Sequence, residues 1–189
     1  MSSTPPGGPT GSCLEALAEA VCGSECATGL ACTALRRAVG AYGAGDVFCL
    51  YSRLRLAFEA AVQYAYYWLQ GLEWEKALAR IRHRSRFAAS FTATMIKELR
   101  GVHGSRKRWL LHIYLSLGAW LHPSIELHEA NGEPLLDEEL VGEVLDAIAY
   151  TLLVAGCSLP GLEDKTMGCG FEKTGRLLAR RSGSVKGNV

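Results

Sequence analysis

Two imidazoles and a set of arginines are the groups in this chain best placed to do chemistry. His122 closes the apolar stretch Trp109–Leu127, WLLHIYLSLGAWLHPSIEL, and Pro123 follows it at once. Proline fixes φ and lacks an N–H, so a helix running through this stretch ends at or just before His122. An imidazole at a helix C-terminus is favoured in its charged form, and near-neutral titration also suits it to general acid–base work. Ser116, six residues earlier, is a candidate partner. His112 stands six residues after Arg106 in RKRWLLH, so an arginine that can neutralise phosphoryl charge shares a segment with a base. The candidate catalytic set is therefore His122, His112, Arg106 and Ser116.

A second set reads as anion binding. In Arg80-Ile-Arg-His-Arg-Ser-Arg86, helical spacing puts Arg80 and Arg84 on one side and Arg82 and Arg86 on another. That leaves little room for burial, so the turn faces water or a polyanion such as RNA or a nucleotide, whose phosphates match guanidinium forks. Arg106, Lys107 and Arg108 extend this basic set. Net charge is only +1, but it is unevenly spread. Residues 76–108 carry ten bases against Glu98 alone, and residues 126–146 carry eight acids and no base. Opposite segments of this kind predict either pairing within or between subunits or a polyanion on the basic side.

The remaining motifs are negative. The chain has no phosphate-binding glycine loop before a helix, no nucleophile elbow and no His-rich metal pattern. Seven cysteines include Cys22-x3-Cys26, one helical turn apart. Without a CxxC pair or a nearby histidine, a structural zinc is not expected, and neither is any metal or cofactor. The cysteines then read as buried small hydrophobes, or as disulfides of a hyperthermophilic cytosol. The opening MSSTPPGGPTGS has no charged n-region and no apolar h-region, and no run is long and apolar enough for a membrane span. The expected location is cytoplasmic.

These groups must be positioned by helices. Residues 1–11 are expected to be disordered, Cys13–Cys22 and Glu25–Tyr42 to be short helices, and Asp46 to cap a long helix reaching about Gly71. Glu59 in that helix is expected to pair with an arginine. Glu73–Arg100 reads as helical with a kink near 84–87, Arg106–Leu121 as a helix, and Pro123–Pro134 as a polar connection. Asp137 caps an apolar helix over Val141–Ala155 that should lie at the centre. Phe171–Val189 reads as a basic tail with a turn or two of helix. The expectation is an all-α bundle of four or five main helices with short N-terminal helices: a single domain over 12–157, then a loop and tail over 158–189.

The order of elements, with RLRLAFEAAVQYAYYWLQG, SFTATMIKELRG and IYLSLGAWLHPSIEL, resembles the higher eukaryotes and prokaryotes nucleotide-binding (HEPN) superfamily over about residues 45–157. The resemblance implies a small helical bundle, commonly a homodimer, with RNA or nucleotide partners. It also implies a metal-independent RNase signature of arginine, four to six residues, then histidine. For His122 the matching positions hold Leu115, Ser116 and Leu117; Arg106 and His112 meet the spacing. The expectation is an association and binding module without nuclease activity. The alternatives are an active RNase of toxin–antitoxin or defence type, and a structural or accessory protein of a mobile element.

Overall fold

The structure is a computed structural model that describes residues 8–26, 29–73, 75–76, 79, 91–121, 136–165 and 168–185. Among these it is all helical, with no strand: α1 (Pro9–Cys22), α2 (Gly29–Gly43), α3 (Val47–Trp68), α4 (Phe91–Glu98), α5 (Gly104–Leu121), α6 (Glu138–Val154), a 3-10 turn at Glu163–Lys165 and α7 (Glu172–Val185). No described helix is long and apolar enough to cross a membrane.

The two long central helices start as their sequences dictate. The Asp46 carboxylate accepts the Cys49 N–H at 2.9 Å, and the Asp137 carboxylate accepts the Leu140 N–H at 2.9 Å, each satisfying a donor orphaned at a helix start. Glu138 and Glu139 in the first turn of α6 complement its dipole. Tyr51 ties the two starts together: its hydroxyl accepts the Asp137 N–H at 3.0 Å.

α6 is the axis of the molecule. Every residue from Val144 to Leu153 is buried, so this helix is enclosed all round. α3 packs along it with Leu54, Phe58 and Val62, and α1, α5 and α7 complete the enclosure. α2 lies against α1 and α3, and α4 against α3 and α5. Glu59 pairs as expected: Arg55 donates to it at 3.0 Å and also reaches the Tyr114 hydroxyl at 3.3 Å, joining α3 to α5.

Three expectations differ from the structure, and a fourth, which left two readings open, is decided by it. Helix α1 begins at Pro9, inside the stretch expected to be disordered, because proline at the first helical position has a pre-set φ and no N–H to lose. Gly11 is then pressed against Tyr42, whose Cε1 would lie 2.9 Å from an added Cβ. α2 begins at Gly29 rather than Glu25, and Ser24 accepts from Cys26 in a turn instead of capping the helix.

The third difference is the C-terminal segment, which is no tail. Leu159, Leu162 and Phe171 are buried and Thr174 is fully enclosed, so residues 158–165 and 168–180 belong to the packed body. The physical reason is Asp146, the one charged residue in the buried run of α6. A carboxylate there must be satisfied. It accepts the Lys173 N–H at 3.0 Å and the Thr174 N–H at 2.9 Å, and the Thr174 hydroxyl donates to the Asp146 carbonyl at 3.2 Å. Asp146 thus caps α7 from a different helix.

The fourth concerns the cysteines. Six of the seven are paired, Cys13–Cys169, Cys22–Cys32 and Cys26–Cys157, leaving Cys49 as the free thiol. Cys22 and Cys26, one turn apart in sequence, take different partners because α1 ends between them at Gly23.

Candidate functional site

A turn, a helix start and a helix face combine into one cation-lined cleft. After α4 the chain turns through Gly101, at φ 71°, a left-handed conformation that glycine adopts without strain. Arg100 and His103 flank that turn. α5 then begins at Gly104, and the His103 carbonyl accepts the Arg106 N–H at 2.9 Å. The ring of His103 assists, since Nδ1 accepts the Ser105 N–H at 3.3 Å and lies 2.9 Å from the Ser105 hydroxyl. In the neutral ring this leaves the proton on Nε2.

Across from this corner runs α7, whose Lys173, Arg176 and Arg180 repeat at three and four residues and therefore share a face. Between the two walls lies a cleft of about 560 Å³. Arg100, His103, Arg106, Lys173, Arg176 and Arg180 line it, with Leu69, Val154 and Leu177 as apolar lining and Tyr150 from α6 among them. Among the described residues no carboxylate lines it. Among the described residues Lys173 has Glu143 at 3.9 Å and Arg176 has Glu172 at 3.6 Å, whereas Arg100, Arg106 and Arg180 have no ion-pair partner.

Burial raises the Tyr150 phenol above its usual range, while the charges of Arg106 and Arg180 pull it back down. The phenol is therefore a neutral hydroxyl at physiological pH, able to donate to an anion. Its ring meets Trp109 edge-on, centroids 5.9 Å apart, and the Lys173 ammonium sits 5.1 Å from the Trp109 ring centroid. The first turn of α5 carries Arg106, Lys107 and Arg108 and no acid. That arrangement opposes the helix dipole, and an anion in the cleft would relieve it.

The sequence-derived candidates are dispersed. Arg106 lines the cleft. Lys107 is committed elsewhere, its ammonium donating to the Lys97 carbonyl at 2.9 Å near the end of α4. Arg108 is exposed and does not line the cleft, and His112 is exposed further along α5. Six residues of helix put Arg106 and His112 about 9 Å apart along the axis and about 120° apart around it. Ser116 is half-buried on α5. His122, Arg80, Arg82, Arg84 and Arg86 lie outside the described residues. Among the described residues no cluster of three or more His, Cys, Asp or Glu side chains is arranged to hold a metal.

Sequence reasoning missed His103, Tyr150 and the α7 cations. The signal for α7 was present, since 173, 176 and 180 have helical spacing, but it lay in a segment read as a tail. The described acidic residues also have a different placement from the one expected. Glu138 and Glu139 are exposed at the N-terminus of α6, about 18 Å along that helix from Tyr150, Asp146 is buried, and Glu143 meets the Lys173 ammonium of the cleft at 3.9 Å.

No family model, curated protein or solved structure matches this chain.

Proposed function

We propose that this chain is a HEPN-like binding module that holds an RNA or nucleotide phosphate group in the cleft between α5 and α7 and does not cleave it. One observation carries this reading: five Lys and Arg side chains and an imidazole line one cleft that has no carboxylate among its described lining residues. Such a wall raises the local potential and favours phosphate oxygens, with guanidinium groups matching their geometry. The neutral Tyr150 hydroxyl and the apolar lining suit a ligand with both a charged and an uncharged part. The non-nuclease reading is supported by the dispersal of Arg106 and His112 on α5 and by His103 Nδ1, which accepts the Ser105 N–H at the helix start.

Fluorescence anisotropy with single-stranded RNA and with a mononucleotide tests the reading. Binding should weaken steeply with salt, and Arg106→Ala with Arg180→Ala should reduce it by about tenfold or more. Salt-independent or unchanged binding would remove the cleft from consideration. RNA that stays intact in chelator supports the non-nuclease reading, and cleavage abolished by His112→Ala would replace it with the RNase.

A second reading, self-association into a homodimer, rests on the exposed Glu138 and Glu139 at the opposite end of α6, which complement the cleft of another copy. Light scattering at low and high salt reads this directly. The cystines set a condition on the cytoplasmic placement: disulfides persist in a cytosol chiefly in hyperthermophiles, so we read the source as thermophilic.

A further inference from the structure

We infer that the cleft between α5 and α7 takes a linear oligophosphate, free or as the tail of a nucleotide, in preference to the spaced phosphodiesters of an RNA strand. The inference rests on the phosphate reading above and names the ligand class of the same site. Charge density points to this class. Lys173 has Glu143 at 3.9 Å and Arg176 has Glu172 at 3.6 Å, so Arg100, Arg106 and Arg180 supply the charge that no described carboxylate balances. They come from the turn after α4, the first turn of α5 and the α7 face, yet they border one cleft of about 560 Å³. A cleft of that size fits a small ligand. Arg106 and Arg180 also face a common point, since the charges of both act on the Tyr150 phenol. Lys173 to Arg180 spans about 10 Å along α7. In an oligophosphate neighbouring phosphates share one bridging oxygen, so several negative charges fit within that span. In RNA a ribose separates them, and each nucleotide brings a single charge. The oligophosphate therefore neutralises the converging guanidinium groups more completely, and its non-bridging oxygens match their forks.

The rest of the lining agrees. Proteins that bind single strands stack successive bases on aromatic rings. Among the described lining residues Tyr150 is the one phenyl or indole ring, and it is only 8% exposed. Trp109 does not line the cleft; Tyr150 meets its ring edge-on and the Lys173 ammonium sits over it. The His103 ring is tied to Ser105 through Nδ1. Leu69, Val154 and Leu177 form a small apolar floor, with room for one base at most beside the phosphates. The backbone is occupied as well. The Ser105 N–H goes to His103 Nδ1, and the Arg106 and Lys107 N–H groups go to the His103 carbonyl. Anion recognition is thus left to side chains that approach from two walls, which suits a chain of tetrahedral groups.

Calorimetry in chelator at fixed low salt tests this with inorganic tripolyphosphate, adenosine triphosphate, adenosine monophosphate and a short oligouridylate. Tripolyphosphate and the triphosphate should bind at least about tenfold tighter than the monophosphate, and tripolyphosphate should displace the RNA. Affinity for the triphosphate no higher than for tripolyphosphate assigns a free chain. Tighter binding of the triphosphate assigns a nucleotide whose base lies on the apolar floor. Arg106→Gln and Arg180→Gln should each lower tripolyphosphate affinity about tenfold. Arg180→Lys keeps the charge but loses the fork, and should recover only part of it. Arg108→Gln, at an exposed position outside the cleft, should leave the affinity unchanged. A monophosphate that binds as tightly as tripolyphosphate, or RNA that binds more tightly and is not displaced, would overturn the inference and leave the broader phosphate reading standing. Losses in Arg108→Gln as large as in Arg180→Gln would also overturn it, because a diffuse positive surface would then be the ligand's partner. Failure of all the probes to bind would remove the phosphate reading as well.

Discussion

The two ends of this bundle are held together by different means. The α1–α2 end, with the 155–171 segment laid against it, carries all three disulfides, whereas α4 and α5 contain no cysteine. The difference follows from side-chain size. The buried face of α2 is built from Ala31, Ala34, Leu35, Ala38 and Ala41, and α1 contributes Ala16, Ala18 and Ala20 beside Leu14, Leu17 and Val21. Alanine faces allow close helix packing but remove little apolar area from water, and that area is the main favourable term in folding. On the other side, Met95, Ile96, Leu99, Leu110, Ile113, Tyr114 and Leu117 from α4 and α5 meet the large residues of α3. That end is stabilised by burial and by hydrogen bonds such as Arg55–Tyr114 and Lys107 to the Lys97 carbonyl, with no cross-link. The teaching is that covalent cross-links appear where the apolar contribution is smallest.

Breaking the cross-links should therefore have the largest effect. Each native disulfide in a small domain contributes about 2–5 kcal/mol, so complete reduction should lower the unfolding temperature by about 10 °C or more, read by circular dichroism with and without dithiol. The contributions are not independent. With Cys26–Cys157 closed, the loop sealed by Cys13–Cys169 shrinks to two short arms of ~25 residues in all, and its entropic worth falls from about 5 to about 3.5 kcal/mol. A double-cystine cycle should show this coupling, and strict additivity would contradict the nested arrangement.

The cysteine-free end should respond to truncation instead. Leu110 is fully buried between α5 and its neighbours, so Leu110→Ala should cost about 2–5 kcal/mol in a denaturant titration. At the cystine-bearing end, Asp146→Ala should cost about 2–4 kcal/mol, because it strands the Lys173 and Thr174 N–H groups that it satisfies. If Asp146→Ala were nearly neutral, α7 would be held by its cystine and apolar contacts alone, and the Asp146 cap would carry none of its attachment.

A smaller effect is expected from alkali. Tyr51, Tyr64 and Tyr150 all titrate above the usual tyrosine range, in each case first because burial disfavours the phenolate. The folded form thus keeps its protons where the unfolded chain would release them. This stability is fully present below the ordinary tyrosine pKa of about 10 and is lost as pH rises through the folded values. Phenolate absorbance should therefore appear in step with unfolding rather than before it. The Tyr150→Phe variant should resist alkali better, which assigns part of this effect to Tyr150.

What was legible in the sequence was local. Asp46 and Asp137 as caps, Gly45 and Gly156 at positive φ after or before helices, and the all-round apolar run of α6 each follow from a few neighbouring residues. α7 was not legible because its first turn is capped by a side chain 27 and 28 positions away, and the apolar contacts of its described residues come from Thr174 with the partly buried Leu177 and Leu178. The cleft was not legible for the same reason. Its cations come from a turn, a helix start and a presumed tail, while Arg80–Arg86 offered a denser and more conspicuous run. The cystine partners were equally hidden, since two of the three bonds span more than 130 positions.

The smallest effect concerns Lys107, which separates a structural from an electrostatic role within one basic triplet. Its ammonium donates to the Lys97 carbonyl, one of the acceptors left open near the end of α4. Arg106 beside it lines the cleft, and Arg108 is exposed. Lys107→Met keeps the apolar stem and removes the donor, so it should cost about 1 kcal/mol of stability and leave polyanion affinity nearly unchanged. Arg106→Met should do the opposite, weakening binding and lowering its salt dependence with little change in stability. Equal losses of affinity in both variants would mean that the whole triplet acts as one diffuse positive field, and the cleft would lose its claim to be a defined site.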